Sequence, residues 1–196
     1  CVHGLYPNPS LPTNACGLDI ALVLDNSESI DFGELELMKT AFKNFVDNLE
    51  GTPTMYSVIK FDTRAKIIQD FTYDTTLVKD AIDSTTASTD PTSWTNWDEA
   101  LEKARDVFDC APENLWGEDY GNSGITHNRE DYFDLIIFAS DGNANTWGSG
   151  HWDERRALDY AEEESKWLKY NGVRVFGIGI GDELNVQSLV RITGKE

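Results

Sequence analysis

The feature that most constrains the fold is an uninterrupted apolar run at residues 20–24, set between Asp19 and Asp25. A strand with one solvent-exposed face alternates apolar and polar residues. A continuous apolar run instead predicts a strand that is covered on both faces, as in a parallel sheet. A similar run occurs at residues 135–139, and residues 173–180 are predicted to form a third core strand. We therefore predict an α/β protein with a parallel sheet at its centre and buried core strands.

Helices are predicted between these strands. Over residues 35–49 the apolar positions recur at steps of three and four, which is the spacing of a single buried helical stripe. The same reasoning predicts a set of helices at 35–49, 77–82, 97–108, 153–170 and 186–192. The fourth of them is expected to end at Asn171-Gly172, a pair that commonly stops a helix.

One pair of strands must run antiparallel. The β-rich runs 56–62 and 65–71 are separated by just Thr63 and Arg64, and so short a link cannot hold the crossover that parallel pairing needs. Strands that alternate with helices predict right-handed crossovers elsewhere. The expected fold is therefore a doubly wound, mostly parallel sheet with one antiparallel edge strand.

The chain of 196 residues suggests one domain. Residues 1–17 contain three prolines and are predicted to form an extended leader. The domain is expected at 18–196, with a loop insertion of mixed composition at 109–130. Because 40% of the residues are hydrophobic and 26% are charged, the chain can build a sizeable core and is not expected to be disordered.

The charge balance excludes some partners. The chain has 16 basic and 35 acidic residues and a formal net charge of −19, which repels nucleic acid and anionic membranes. No apolar run approaches the ~20 residues that span a bilayer. We expect no nucleic-acid partner and no direct membrane insertion. The charge serves either solubility alone or the attraction of cations and basic surfaces.

The three cysteines, Cys1, Cys16 and Cys110, leave the redox compartment open. None has C-x-x-C spacing, and with three histidines a structural zinc site is not expected. A disulfide between Cys1 and Cys16 would staple the leader and imply an exported protein, with Cys110 left over or paired with one of them. Three reduced thiols in a cytosolic protein are the alternative.

Oxygen donors follow the core strands. In open α/β sheets, ligands bind beyond the carboxyl ends of the strands, where this sequence places Asp25, Ser27 and Ser29 after one run and Asp141 after another. Thr95 stands where a polar loop gives way to a helix. Oxygen ligands favour a hard divalent cation, Mg²⁺, Ca²⁺ or Mn²⁺. The alternative is that the serines merely cap the next helix. We expect the carboxylates at the strand ends to face solvent.

These motifs resemble those of one family. The D-x-S-x-S pattern at 25–29 resembles the metal-ion-dependent adhesion site of von Willebrand factor type A domains and integrin inserted domains. The segment 95–101 is similar to the family's T-x-T-x-x-A-L, 138–142 to its strand ending in T-D-G, and 176–182 to its G-I-G-x-G-D strand. Order and spacing agree from about residue 19 to 194.

The resemblance implies a set of metal ligands: Asp25, Ser27, Ser29, Thr95 and Asp141. It implies that both serines bind the cation directly and that Thr95 moves in or out of its shell. The two aspartates would act largely through water. A carboxylate from a partner would supply the remaining position.

The sequence departs from the family pattern at several points. Trp97 stands where a second threonine is usual, a change expected to alter the rim of the site but not the ligand set. Glu28 adds a negative charge beside the cation, and Ser93-Trp94 replaces a common Gly-Gly. The family typically continues beyond Gly194 into a last strand and helix, which we expect this domain to lack.

The implied function is binding, without enzymatic activity. We expect an extracellular or cell-surface adhesion module that holds a protein or matrix ligand through an Asp or Glu carboxylate on its cation. An intracellular scaffold of the same fold, as in chelatase-type assemblies, is the alternative. A metal-dependent hydrolase is less favoured, because it lacks a credible general base. His127 and His151 also have no nucleophile elbow to pair with. The late G-x-G-x-G at 177–181 lacks the βαβ context of a dinucleotide site.

Tryptophans are concentrated near the predicted metal face. Five of them fall in or beside predicted loops: Trp94, Trp97, Trp116, Trp147 and Trp152. Exposed aromatic side chains are favoured anchors at interfaces. We expect them either to anchor a partner or to pack the loops themselves.

Overall fold

The computed structural model describes residues 6–10, 17–108, 132–181 and 185–194. The predicted insertion at 109–130, which includes Trp116 and His127, lies outside these ranges. So do all three cysteines and most of the predicted leader. None of the described helices is long and apolar enough to cross a membrane.

The predicted doubly wound sheet is confirmed. The strands are β1 (Leu18–Asp25), β2 (Met55–Phe61), β3 (Ala65–Thr72), β4 (Phe133–Ser140), β5 (Thr146–Trp147), β6 (His151–Trp152) and β7 (Arg174–Gly179). Five of them form one sheet in the order β3-β2-β1-β4-β7. All neighbours in it are parallel except β2 and β3, the antiparallel edge pair.

Helices cover both faces of this sheet, at α1 (Phe32–Asn48), α2 (Thr75–Ser84), α3 (Trp97–Val107), α4 (Glu154–Tyr170) and α5 (Val186–Thr193). Local signals set their ends. Asp31 caps α1 in a reciprocal capping box with Glu34. The α4 helix stops at Asn171, and Gly172 then takes a φ of 91°, a backbone conformation that favours glycine.

The continuous apolar run of β1 serves two separate cores. Ile20, Leu22 and Leu24 pack in a cluster with α1 and α2. Ala21 and Val23 point the other way, into a cluster with α3, α4 and α5. Successive strand side chains point to opposite faces, so a strand between two helical layers needs apolar residues at every position.

The last core strand is less buried than its sequence predicts. Val175 is fully buried, but Phe176 and Ile178 are 38% and 43% exposed. Strand β7 is the outer strand of the described sheet. The α5 helix covers one face of it, since a Cβ on Gly177 would lie 2.6 Å from Leu189 Cγ. Phe176 and Ile178 point to the opposite face, which the described helices leave partly open.

A short hairpin was not predicted. Strands β5 and β6 pair antiparallel around Gly148 and Gly150, which have φ angles of 52° and 100°. The hairpin is tied to the start of α3. Asn96 Nδ2 donates to Gly148 O at 2.9 Å, and Gly148 N donates to Asp98 Oδ2 at 2.9 Å.

Part of the predicted leader docks on the sheet. Asn8 pairs with the backbone of Val175 through both halves of its amide: Val175 N donates to Asn8 Oδ1 at 2.9 Å, and Asn8 Nδ2 donates to Val175 O at 3.2 Å. Lys169 Nζ donates to Tyr6 O at 3.1 Å. Asn8 therefore satisfies backbone groups on the outer edge of β7.

Candidate metal centre at the strand ends

All five predicted ligands come together at the carboxyl ends of β1 and β4. Thr95 Oγ1 donates to Ser27 Oγ at 3.1 Å, and Ser27 Oγ lies 3.2 Å from Ser29 Oγ. Ser29 Oγ donates to Asp141 Oδ1 at 3.0 Å. Ser27 N donates to Asp25 Oδ1 at 2.9 Å, and this bond links Asp25, the fifth predicted ligand, to the other four. The strand order explains this convergence, since β1 and β4 are neighbours.

The two serines do not cap the following helix. The cap of α1 is Asp31, whose side chain accepts from Glu34 N at 2.8 Å. The turn before it is held by its backbone, with Ile30 N donating to Ser27 O at 3.1 Å. The hydroxyls of Ser27 and Ser29 are therefore left for the site.

Thr95 is held by a residue that the sequence reasoning missed. Thr95 N donates to Asn145 Oδ1 at 2.9 Å, and Asn145 N donates to Thr95 O at 3.1 Å. Asn145 comes four residues after Asp141. The loop after β4 therefore carries the predicted ligand Asp141 and also holds the backbone of Thr95. Its place in the polar Asn143-Ala144-Asn145 segment was the available signal.

The expectation that both carboxylates face solvent is wrong. Asp25 is fully buried and Asp141 is 7% exposed. Burial raises the pKa of Asp25 to about 7, against hydrogen bonds from Ser140 and Ser27 that lower it, while the charge of Asp141 adds to the rise. Strand ends in an open sheet lie under their own loops, here the 26–30 turn and the loop that carries Thr95.

Trp97 is also buried, although its presence in place of a usual threonine was expected to alter the rim of the site. Its ring packs edge-on against Phe138, with centroids 5.4 Å apart. Its Nε1 donates to Ser140 Oγ at 3.2 Å, and Ser140 Oγ donates to Asp25 Oδ2 at 2.5 Å. At the first position of α3, the ring turns inward beneath the site.

The centre is buried on one side and open on the other. Ser27 and Thr95 are buried, whereas Glu28 and Ser29 are exposed. Ser29, Thr95 and Gly142 also line a cleft of about 670 Å³ that continues between α4 and α5. An ion held here would have protein oxygens behind it and room for a ligand in front.

The donor set suits a hard cation. Within the described ranges, no group of three or more His, Cys, Asp and Glu side chains is placed to hold a metal. A cation here would instead use three hydroxyls and two carboxylates, which suits Mg²⁺, Ca²⁺ or Mn²⁺. With neutral hydroxyls as its direct ligands and the carboxylates acting largely through water, the ion would stay electrophilic.

Comparison with known proteins settles the family. The model of the von Willebrand factor type A domain matches residues 19–196. The chain belongs to this family. The A domain resembles the structure of proximal thread matrix protein 1 from the mussel byssus, with 29% identity over 91% of this chain and a TM-score of 0.65. The match covers 40% of that protein, so this chain spans about two-fifths of its length.

Two further structures resemble the A domain. The byssal protein with a zinc-occupied metal-ion-dependent adhesion site matches with 27% identity, covers 93% of this chain and 40% of that one, and gives a TM-score of 0.67. The manganese-loaded TRAP protein of Plasmodium vivax matches with 18% identity, covers 94% and 65%, and gives a TM-score of 0.64, which supports the fold alone. The comparison with curated protein sequences gives no match.

The tryptophans divide between packing and exposure. Trp152 is 63% exposed and Trp94 is 39% exposed. Trp147 is half-buried and stacks on Tyr160, with centroids 4.5 Å apart. Trp94 and Trp152 thus fit the interface expectation, while Trp97 and Trp147 serve packing.

Proposed function

We propose that this A domain is an extracellular or cell-surface binding module, without enzymatic activity, whose divalent cation is completed by a carboxylate from a protein or matrix ligand. The cation would be held by Asp25, Ser27, Ser29, Thr95 and Asp141. The observation that carries the proposal is the hydrogen-bonded series of Thr95, Ser27, Ser29 and Asp141 oxygens at the strand ends, which Asp25 joins through Ser27 N and which is open on the Ser29 side.

The bound cation would supply an electrophilic centre for an anionic ligand. Ser27, Ser29 and Thr95 would offer it neutral oxygens, so little of its charge would be offset. Asp25 and Asp141 would act on it largely through water, with their carboxylates fixed by hydrogen bonds from Ser27, Ser140 and Ser29. A ligand Asp or Glu would then approach from the exposed Ser29 side.

The choice of cation follows from the donors. Zinc is most often held by nitrogen or sulfur, and this centre offers oxygen alone. We propose Mg²⁺, Ca²⁺ or Mn²⁺ as the working ion. The related byssal protein has been seen with zinc in its metal-ion-dependent adhesion site, which supports a divalent ion at this position.

An outside location agrees with the byssal matrix protein, the relative of highest identity among those described above. The intracellular scaffold remains the second candidate. An exported module and an intracellular scaffold differ in the expected oxidation state of the three cysteines. Mass spectrometry of the natural protein under non-reducing conditions separates them. A bond between Cys1 and Cys16 supports export, and three free thiols support the scaffold.

The ligand mechanism can be tested with peptides. A labelled A domain would be applied to an array of peptides that each carry one Glu, printed beside twins that carry Gln. We expect binding to a subset of Glu peptides in Mg²⁺ or Mn²⁺, loss in EDTA, and no binding to the Gln twins. Binding that survives complete chelation would overturn the mechanism. Turnover of generic phosphate or ester substrates would favour the hydrolase instead.

A further inference from the structure

We infer that Trp97 is a positioning residue of the metal centre, acting on the Asp25 carboxylate through the hydroxyl of Ser140. The inference rests on the proposed cation site and adds two residues to it. The three side chains are all fully buried and form a continuous hydrogen-bonded series.

When the Asp25 carboxyl is ionised, chemistry fixes the direction of each hydrogen bond. An indole N–H can only donate, so Ser140 Oγ must accept from Trp97 Nε1. The single proton of that hydroxyl is then free to go to Asp25 Oδ2, 2.5 Å away. Asp25 Oδ1 already accepts from Ser27 N. Both carboxylate oxygens are thus held, and the plane of the carboxylate is fixed.

Ser140 has a competing acceptor. Its Oγ lies 3.5 Å from Gly142 O, in the loop that carries Asp141. A serine hydroxyl rotates to suit its surroundings. The donor from Trp97 occupies one side of Ser140 Oγ and leaves the proton directed at Asp25. Without it, the hydroxyl could turn towards Gly142, and Asp25 would lose one of its two restraints.

The indole is held firmly enough to serve this role. Trp97 has no exposed surface, and it packs edge-on against Phe138, two residues before Ser140 on the same strand. It is the first residue of α3 and follows Thr95 by two positions. The same side chain therefore anchors the loop of one predicted ligand and orients another across the site.

Calorimetry of Mg²⁺ and Mn²⁺ binding tests the inference with three variants. Trp97→Phe keeps an aromatic ring on Phe138 and removes the N–H. Ser140→Ala removes the hydroxyl, and the double variant removes both. We expect each single change to weaken cation affinity about three- to tenfold, the size of one hydrogen-bond restraint. The double variant should be no weaker than Ser140→Ala, because Trp97 acts through Ser140.

Two controls separate positioning from packing. Trp167→Phe removes an indole from the surface of α4 and should leave affinity unchanged. Ser140→Thr keeps a hydroxyl at the same position and should restore affinity close to that of the natural domain. Losses in Trp97→Phe and Ser140→Ala that simply add in the double variant would mean that Trp97 acts by packing, and would overturn the inference.

NMR gives a readout that does not depend on affinity. The six tryptophans give six indole N–H signals, and that of Trp97 is the one lost in Trp97→Phe. We expect it to move in Ser140→Ala without metal, and to move on Mg²⁺ addition in the natural domain. An identical Trp97 signal in the natural domain and Ser140→Ala would overturn the inference. A natural domain that binds no divalent cation would overturn the proposed site and this inference together, whereas normal cation binding by Trp97→Phe would overturn the inference alone.

Discussion

Ser29 Oγ donates a hydrogen bond to Asp141 Oδ1 across 3.0 Å. The two residues are 112 positions apart, and the bond joins the turn after β1 to the end of β4. Asp141 keeps a small exposed surface, whereas Asp25 beside it has none. Replacing Asp141 is therefore expected to disturb the fold less than replacing Asp25.

Asp141→Ala is expected to abolish Mg²⁺ and Mn²⁺ binding while the domain stays folded. The change removes one of the two carboxylates from the site. Asp141 lies at the edge of the site and outside the hydrophobic core, so the fold should not depend on it. Calorimetry measures the cation, and circular dichroism checks the fold. Asp80→Ala, the same change of charge on the exposed surface of α2, should bind normally. Natural affinity in Asp141→Ala would remove that residue from the site.

Cation binding is expected to weaken as the pH falls below about 7. Burial raises the pKa of Asp25 to about 7, so the metal-free site holds a proton on this carboxyl at lower pH. The cation must displace that proton, and its affinity should fall about tenfold per pH unit below 7. Calorimetry at several pH values checks this, and heats in buffers of different ionisation enthalpy report the proton released.

The Asp25 carboxyl also predicts how the stability of the metal-free domain depends on pH. Stability should fall as the pH rises, whereas cation affinity should rise. The pKa of Asp25 is higher in the folded chain than the usual 3.8 of an aspartate, so its contribution to metal-free stability is full below about pH 4 and is lost as the pH rises to 7. Asp25→Asn removes this slope and keeps the side-chain shape. Burial also raises the pKa of Glu164 to about 7, so the difference between the natural domain and Asp25→Asn is the quantity to measure. An unchanged pH slope in Asp25→Asn would contradict the assignment.

The sheet could be predicted because its signals are local. The run at 20–24 must face two apolar layers, and Thr63-Arg64 is too short for anything but a turn. The convergence of Asp25 and Asp141 follows from the same pattern, since neighbouring parallel strands end at one edge. The resemblance to the family then supplied the roles that spacing alone leaves open.

What the sequence could not provide depends on packing between distant elements. At the first position of a helix, Trp97 can point outwards or inwards, and the contact with Phe138 decides it. Asp25 is buried by loops whose paths no periodicity reveals. The β5–β6 hairpin has strands of two residues each, too short to show alternation, although Gly148-Ser149-Gly150 between aromatic residues was a turn signal.

Asn8→Ala is expected to lower the free energy of unfolding by about 1–2 kcal/mol, because two hydrogen bonds to the edge of β7 are lost. Chemical denaturation measures it. Asn48→Ala removes one bond within α1, from Nδ2 to Asn44 O, and should cost less. Asn8→Asp can still accept from Val175 N but cannot donate to Val175 O, so it should lie between. Equal stability of the natural domain and Asn8→Ala would show that the leader contributes nothing there.

Glu28→Ala is expected to strengthen binding of a Glu peptide chosen from the array, with cation affinity unchanged. Glu28 is exposed between two predicted ligands, and its charge repels an incoming carboxylate or occupies its position. Surface plasmon resonance in Mg²⁺ compares the two domains. Glu50→Ala, an exposed acid beyond the end of α1, is the control for net charge. Weaker peptide binding by Glu28→Ala would mean that Glu28 contacts the ligand.

Thr95→Asp is expected to keep or raise cation affinity while it weakens binding of the same Glu peptide. Thr95 Oγ1 lies 3.1 Å from Ser27 Oγ, at one end of the series of oxygens that continues through Ser29 to Asp141. A carboxylate placed there would offset part of the ion's charge and compete with the ligand for the open position. Thr95→Asn has nearly the same shape without the charge, so it separates electrostatics from size. Calorimetry gives the cation affinity of each variant, and surface plasmon resonance gives the peptide affinity. If Thr95→Asp binds the peptide as well as the natural domain does, Thr95 is not a ligand, and the assignment of its loop to the site is wrong.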